Sequence, residues 1–151
     1  LIYLSSWYWS WIEYNLVFAT HNITNPVEKL SISVKIITQN IIDDKNTPHI
    51  DESILNRIII SDFSKTLLTK DVDAENKEGF FLVYKRVINR LILIINEVNP
   101  NYPYAKSLAS SIVQGSLHQH YLKEHFKTIT NLSENDCLSD FYTHLIKKTL
   151  T

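Results

Sequence analysis

A dense aromatic cluster near the start of the chain has the composition of a ligand-binding wall. Trp7, Trp9, Trp11, Tyr14 and Phe18 follow one another closely. Aromatic rings with a few polar tips line many sites for small apolar molecules. We therefore predict that Trp7, Trp11, Tyr14 and Phe18 contact a ligand. Ordinary hydrophobic core is the alternative.

Further aromatic residues in the middle of the chain extend this predicted site. Phe80 and Tyr84 are four residues apart, so they share one face of a helix. We predict that both line the same cavity, together with Phe63 and with His118 at its edge. The same segment carries a basic row, Lys85, Arg86 and Arg90. That row could pair with an effector carboxylate, but a solvated helix face is the favoured interpretation.

Three histidines, His118, His120 and His125, raise the question of a metal site. Helical pairs that hold one ion are spaced about three or four residues apart, whereas the spacings here are two, five and seven. No HExxH grouping occurs. We therefore expect no metal and no cofactor. No serine or cysteine nucleophile has a base and an acid nearby in sequence, so we predict that the chain is not an enzyme.

The segments that carry these residues have helical periodicity. Of 151 residues only two are glycine and four are proline, too few turn signals for a sheet-rich fold of this size. Apolar residues instead recur every three or four positions. The predicted helices cover residues 1–22, 26–41, 51–69, 78–98 and 103–126 and the segment from 138 onward. The prediction is an all-α bundle of five to six helices.

Local signals predict where the helices begin and break. Asn25 is predicted to cap a helix with Pro26 in its first position, and Pro103 is predicted to open a later one. The β-branched run at residues 58–60 predicts a break near Ile60. The helix from 78 is apolar nearly all round, which predicts a central position. Predicted polar segments are a loop at 43–48, an exposed stretch at 71–77 and a cap at 133–136.

Length and charge restrict the class of protein. The 151 residues are enough for one domain, the formal charge is −1, and the single cysteine, Cys137, excludes an internal disulfide. Apolar runs are shorter than the roughly 18 residues of a membrane span, and no signal peptide is visible. We predict a cytoplasmic protein without a membrane partner. A surface that binds duplex DNA normally carries a clustered basic patch, and the sequence shows none. We therefore expect that residues 1–151 do not themselves bind DNA.

The end of the chain has the pattern of a subunit interface. Gly115 lies inside a predicted helix, where glycine costs about 1 kcal/mol against alanine. That cost predicts close approach of another helix; a partner subunit is favoured, and packing within one subunit is the alternative. The last helix has an apolar stripe too broad for a monomer, which predicts a two-fold homodimer. The predicted interface residues are Ile112, Gly115, Ser116, Gln119, Phe141, Tyr142, Leu145 and Ile146.

Patterns in chain order resemble the C-terminal domain of the tetracycline-repressor (TetR) family of transcriptional regulators. Residues 1–4 resemble the family's long connecting helix, and residues 24–30 resemble its helix opening of the form Asx-Pro-apolar-Glu-basic-Leu. Residues 99–105, followed by the Gly-Ser-Leu step at 115–117, resemble the penultimate helix. Residues 132–150 resemble the terminal helix. The resemblance spans nearly the whole chain.

The resemblance implies a ligand-responsive transcriptional regulator, a repressor in the first instance. The chain opens without methionine and with helical periodicity already running, so we expect it to be cut from a longer protein. The resemblance implies that the missing part is a helix-turn-helix domain upstream of residue 1, which would contact operator DNA. The last two helices would form a four-helix bundle in the homodimer. The earlier helices would enclose a small-molecule pocket. The composition of the aromatic wall predicts an apolar or aromatic effector: a fatty acyl compound, a drug-like cation or a plant-type phenolic. A stand-alone adaptor or toxin-neutralising module and an all-α enzyme are the alternatives.

Overall fold

The computed structural model of the chain describes residues 2–39, 52–132 and 138–151. Within these ranges the α-helices are α1 Ile2–Thr20, α2 Pro26–Thr38, α3 Glu52–Leu67, α4 Val72–Lys77, α5 Leu82–Val98, α6 Ala105–His125 and α7 Leu138–Leu150. A short 3-10 helix, Lys127–Ile129, follows α6. The same ranges contain no β-strand, which confirms the all-α prediction. Helix α4 was predicted only as an exposed charged stretch.

The start of α2 follows the predicted capping pattern. The side chain of Asn25 accepts hydrogen bonds from two backbone N–H groups of the first turn, at 2.9 and 3.2 Å, and Pro26 occupies the first helical position. An Asn cap satisfies amide donors that have no partner inside the helix. The start of α6 differs from its prediction, because the helix begins at Ala105 and Pro103 lies in the preceding turn.

Helix α3 is continuous from Glu52 to Leu67, so the predicted break near Ile60 is wrong. Ile59 and Phe63 lie one turn apart on its inner face, and both are completely buried. Burying an apolar side chain of this size contributes about 1.5–3 kcal/mol. The helix-propensity penalty of a β-branched residue is below about 1 kcal/mol, so packing outweighs propensity here.

Helix α5 packs against α1, α2 and α6 and so occupies the centre of the bundle. Val87 and Leu91 are buried on its inner face, whereas Leu82 and Leu93 remain half exposed. The helix is therefore buried on one broad face, and apolar side chains remain exposed on the opposite one. It begins at Leu82 and not at residue 78, because Gly79 takes a φ of 90°, a left-handed conformation that interrupts the helical path.

Some predicted features lie outside the described residues: the polar loop at 43–48, the cap at 133–136 and Cys137. In the ranges that are described, no helix combines the length and the apolar character needed to span a bilayer.

Candidate functional site

A cleft of about 190 Å³ opens between α1, α2 and α5. An engineered cavity of about 150 Å³ with apolar walls binds benzene, so this cleft has room for one aromatic ring or a short alkyl chain. Its lining combines apolar and charged side chains: Leu16, Thr20, Lys29, Ser33, Ile37, Arg90, Leu91, Leu93, Ile94 and Glu97.

The apolar part of this lining belongs to the hydrophobic core. Leu16, Ile37 and Leu91 line the cleft and are almost completely buried. They face inward because each continues the buried stripe of its helix: Leu16 follows Ile12 by one turn, and Leu91 follows Val87 by one turn. The bottom of the cleft is therefore formed by rigid core side chains.

Two hydroxyl groups in the lining are committed to their own helices. Thr20 Oγ1 donates to the carbonyl oxygen of Leu16 at 2.5 Å, and Ser33 Oγ donates to that of Lys29 at 2.7 Å. Each hydroxyl has one hydrogen, so neither donates toward the cleft. The side-chain donors that remain in the lining are the cationic groups of Lys29 and Arg90.

The charges around the cleft leave one positive charge in excess. Lys29 Nζ lies 3.1 Å from Glu97 Oε2. Arg86 holds Glu13 through two hydrogen bonds of 2.8 and 3.0 Å, while Arg90 Nε reaches the same carboxylate only at 3.4 Å. The hydrogen bond from Arg86 lowers the pKa of Glu13 below its ordinary value. Three cations thus face two carboxylates. Of the three, Arg90 makes the longest contact with a carboxylate.

The basic row of α5 is exposed, in agreement with the favoured interpretation of it. Its members nevertheless have partners: Lys85 Nζ donates to Asn76 Oδ1 at 2.7 Å, and the two arginines contact Glu13 as described above. Of the three, Arg90 is the one that lines the cleft. Arg86 and Arg90 of this row therefore link α5 to α1 through Glu13.

Two predicted ligand-binding residues meet in a packed aromatic cluster. The ring centroids of Phe63 and Tyr84 are 4.9 Å apart, and Trp9 lies 5.3 Å from the first and 5.1 Å from the second. Gln114 Nε2 donates to the Tyr84 hydroxyl at 2.6 Å, and burial raises the pKa of Tyr84 above its ordinary value. Trp9 Nε1 is buried without a hydrogen-bond partner among the described residues. Trp9, which the predicted ligand set left out, fills the centre of this cluster.

The predicted aromatic wall on α1 lies on the surface. Trp7, Tyr14 and Phe18 are 42%, 67% and 76% exposed, and Trp11 is partly buried against the core. The rings of Tyr14 and Phe18 stack on each other at 6.2 Å. None of the four lines the cleft. The core instead packs on the adjacent stripe that begins at Tyr8, and periodicity alone does not rank two neighbouring apolar stripes.

The other two predicted ligand residues also lie away from the cleft. Phe80 is half-buried in the turn before α5 and is not on the same helix as Tyr84, and His118 is exposed on α6. His120 is the buried histidine of this helix, with Nε2 at 2.8 Å from the carbonyl oxygen of Thr38. Across the described ranges, no three potential metal-binding side chains form a group.

The predicted dimer residues divide into two sets. Buried within the single chain are Ile112, Ser116, Tyr142 and Ile146. Gly115 is approached by Tyr142 of the same chain, since an added Cβ would lie 2.5 Å from the tyrosine hydroxyl. The close approach predicted at this glycine is therefore packing within one subunit, the alternative given in the sequence analysis. Gln119 accepts a hydrogen bond within the chain at 2.8 Å. Phe141 and Leu145 remain 50% and 38% exposed, so they are the members of the set that are free for a partner.

Sequence reasoning missed the polar half of the cleft. Lys29 and Ser33 are four residues apart on α2 and so share a face, a signal that was present in the sequence. Glu97 pairs with Lys29 across 68 residues, and a contact at that separation cannot be derived from one sequence.

The fold and the site together define an all-α bundle with an amphipathic cleft in its side. Comparison of the chain with known protein families, with characterised proteins and with solved structures found no match. Its function is therefore argued from this geometry and chemistry.

Proposed function

We propose that the chain is the effector-sensing and dimerising part of a ligand-responsive transcriptional regulator. The observation that carries the proposal is that α1 forms one wall of the amphipathic cleft. In the TetR-type arrangement that the sequence resembles, this helix connects to the DNA-binding domain. A ligand in the cleft would contact Leu16 and Thr20 of α1 and Leu91 of α5 at the same time, so its binding depends on how α1 lies against α5.

The size of the cleft limits how strongly a ligand can act. Shifting a two-state equilibrium from 1:99 to 99:1 requires a differential affinity of about 5.5 kcal/mol. At about 25 cal/mol per Å², this corresponds to about 220 Å² of buried apolar surface. One aromatic side chain buries about 150–250 Å². A ring-sized effector is therefore sufficient only when nearly all of its contacts favour one position of α1.

Ligand-dependent thermal stability tests the proposal. The panel contains small aromatic and aliphatic carboxylates, phenols, amides and hydrophobic cations. Thr20→Tyr places a ring at the cleft, and Thr24→Tyr is the matched control because Thr24 is exposed and does not line it. A ligand at 100 times its Kd adds about 2.7 kcal/mol, which raises the Tm of a chain of this length by about 5–11 °C. We expect that increase in the native chain and the control, and its loss with Thr20→Tyr.

Two results would contradict the proposal. In the first, no compound class changes the Tm of the native chain. In the second, the Thr20→Tyr variant keeps the full increase, which would place the ligand elsewhere.

A second candidate function is favoured by the exposed aromatic face of α1. Tyr3, Trp7, Tyr14 and Phe18 are all exposed, and large exposed apolar patches usually mark interaction surfaces. We propose as the alternative a stand-alone helical interaction module, of the adaptor or toxin-neutralising kind. The thermal experiment separates the two: a Tm increase that Thr20→Tyr removes supports the regulator, and its absence in the native chain supports the module.

A further inference from the structure

We infer that the ligand of the α1–α2–α5 cleft is a small monocarboxylate, with Lys29 and Arg90 binding its carboxylate and the core side chains contacting an apolar body of about one ring or a short alkyl chain. The inference names the ligand class of the proposed sensing site, and its biological meaning rests on that proposed function. Its chemical argument rests on the size, donors and charge of the cleft.

Size limits the apolar body of the ligand. Pockets for drug-sized molecules measure about 300–1,000 Å³, and this cleft measures about 190 Å³. Leu16, Ile37, Leu91 and Ile94 contribute its apolar surface and are buried in the core, so they cannot move aside without loss of packing. The space therefore suits one ring or about six to eight carbons, at the volume of the benzene-binding cavity, rather than a long acyl chain.

The hydrogen-bond donors in the cleft select an acceptor on the ligand. The hydroxyl hydrogens of Thr20 and Ser33 are used inside their own helices, so these groups offer only acceptor capacity. The donors in the lining are the ammonium of Lys29 and the guanidinium of Arg90. Both donors are cations, so a carboxylate adds the attraction between opposite charges and a bidentate geometry to the hydrogen bond. A carboxylate is therefore favoured over an amide or an alcohol.

The excess charge of the cleft selects one negative charge. Arg86 takes both oxygens of Glu13, and Arg90 makes a single bond of 3.4 Å to the same group. Within the described part of the chain, the terminal nitrogens of Arg90 form no hydrogen bond. A monoanion bound beside Arg90 and Lys29 neutralises the excess charge, whereas a cationic ligand would be repelled by both.

Glu97 competes with the ligand for Lys29. Its carboxylate lies 3.1 Å from the ammonium and itself lines the cleft. An incoming carboxylate must share Lys29 with it and is repelled by its charge. The inference therefore predicts opposite effects for two neighbouring charge substitutions: loss of the Arg90 charge weakens binding, and loss of the Glu97 charge strengthens it.

Calorimetric titration of the whole chain with matched probes tests this inference. Benzoate and hexanoate are compared with benzamide and hexanamide, which keep the shape and lose the charge. Arg90→Gln and Glu97→Gln change the cleft, and Arg57→Gln, an exposed position on α3 outside the lining, controls for net charge. Thermal unfolding of each variant confirms that it folds. We expect only a small change in Tm, because the charges removed from the cleft take part in exposed ion pairs.

The expected affinities follow from the exposed setting of the charges. Benzoate binds about tenfold more tightly than benzamide, which is about 1.4 kcal/mol. Arg90→Gln weakens benzoate about fivefold, and Glu97→Gln strengthens it about two- to fivefold. Arg57→Gln leaves the affinity unchanged, and added salt weakens benzoate while sparing benzamide.

Three results would overturn the inference: equal binding of benzoate and benzamide, no binding of either carboxylate to the folded chain, or weaker binding in the Glu97→Gln variant. Its failure and that of the regulator proposal are distinguishable. Suppose that a neutral or cationic compound raises the Tm and that Thr20→Tyr removes this increase. That result would overturn the inference of a carboxylate ligand and would still support the cleft as the sensing site. Carboxylate binding in a chain that never dimerises would support the inference and count against the regulator.

Discussion

Replacing Gly115 by alanine adds one methyl group at the contact between α6 and α7. The added Cβ would lie 2.5 Å from the hydroxyl oxygen of Tyr142 and 3.5 Å from the ring carbon that bears it. The second distance is ordinary van der Waals contact, so the clash is with the hydroxyl alone. Tyr142 is buried, and burial raises its pKa to about 12, so the clashing group is an uncharged hydroxyl at neutral pH.

Two opposing effects set the magnitude of this substitution. Alanine is favoured over glycine inside a helix by about 1 kcal/mol, and forcing an extra group into a filled contact costs about 1–3 kcal/mol. Gly115→Ala should therefore lower the free energy of unfolding by about 0–2 kcal/mol. In a Tyr142→Phe background the clash is absent, so the same substitution should raise that free energy by about 1 kcal/mol.

Urea unfolding of the native chain, the two single variants and the double variant measures this coupling directly. The expected coupling energy is about 1–3 kcal/mol, in the direction that the second substitution rescues the first. If Gly115→Ala had the same effect in both backgrounds, the glycine would not be required by Tyr142, and the close approach of α6 and α7 would be refuted.

Other substitutions test the cap of α2, the Glu13 ion pair and the outer face of α1. Asn25→Ala should cost about 1 kcal/mol in thermal unfolding, whereas Asn22→Ala, an exposed position in the turn after α1, should cost less than about 0.5 kcal/mol; equal costs would contradict the observed cap. Because Arg86 holds the pKa of Glu13 below its ordinary value of 4.5, the pair stabilises the fold above that pH and loses this effect as pH falls through the lowered pKa. The unfolding free energy of the native chain should thus decline more steeply below pH 4.5 than that of Glu13→Gln, and parallel pH profiles would argue against the pair. Phe18→Ser should change the Tm of a single chain very little, since the ring is 76% exposed; a large loss would mean that this face is covered in solution.

The helices were predictable because their causes are local. Apolar spacing, the Asn25 cap and Pro26 act within one or two turns, and the structure places α2 accordingly. The errors occur where distant packing decides the result. The break near Ile60 is absent because Ile59 and Phe63 are buried by other helices. Helix propensities describe each residue locally and do not include the free energy of this burial.

The candidate site was harder to predict than the fold. Helix α1 carries two adjacent apolar stripes. The ligand wall was predicted on the stripe that contains Trp7 and Phe18, and the structure leaves this stripe exposed. The stripe with Ile12 and Leu16 is the buried one, and α1 packs against α2 and α5. The choice therefore depends on packing between helices that are distant in sequence. The cleft also depends on Lys29, whose partner is 68 residues away.

The regulator proposal depends on the claim that two copies of the chain pack together through the exposed apolar surface of α7, which Phe141 and Leu145 form. Sedimentation equilibrium of the native chain and two variants tests this claim most directly. Phe141→Glu combined with Leu145→Glu places charges on that surface, and Leu68→Glu places one on a leucine that is 85% exposed elsewhere. We predict twice the chain mass of 17.6 kDa for the native chain and for Leu68→Glu, and the single-chain mass for the double variant. A native chain that sediments at 17.6 kDa at every concentration would contradict the proposal.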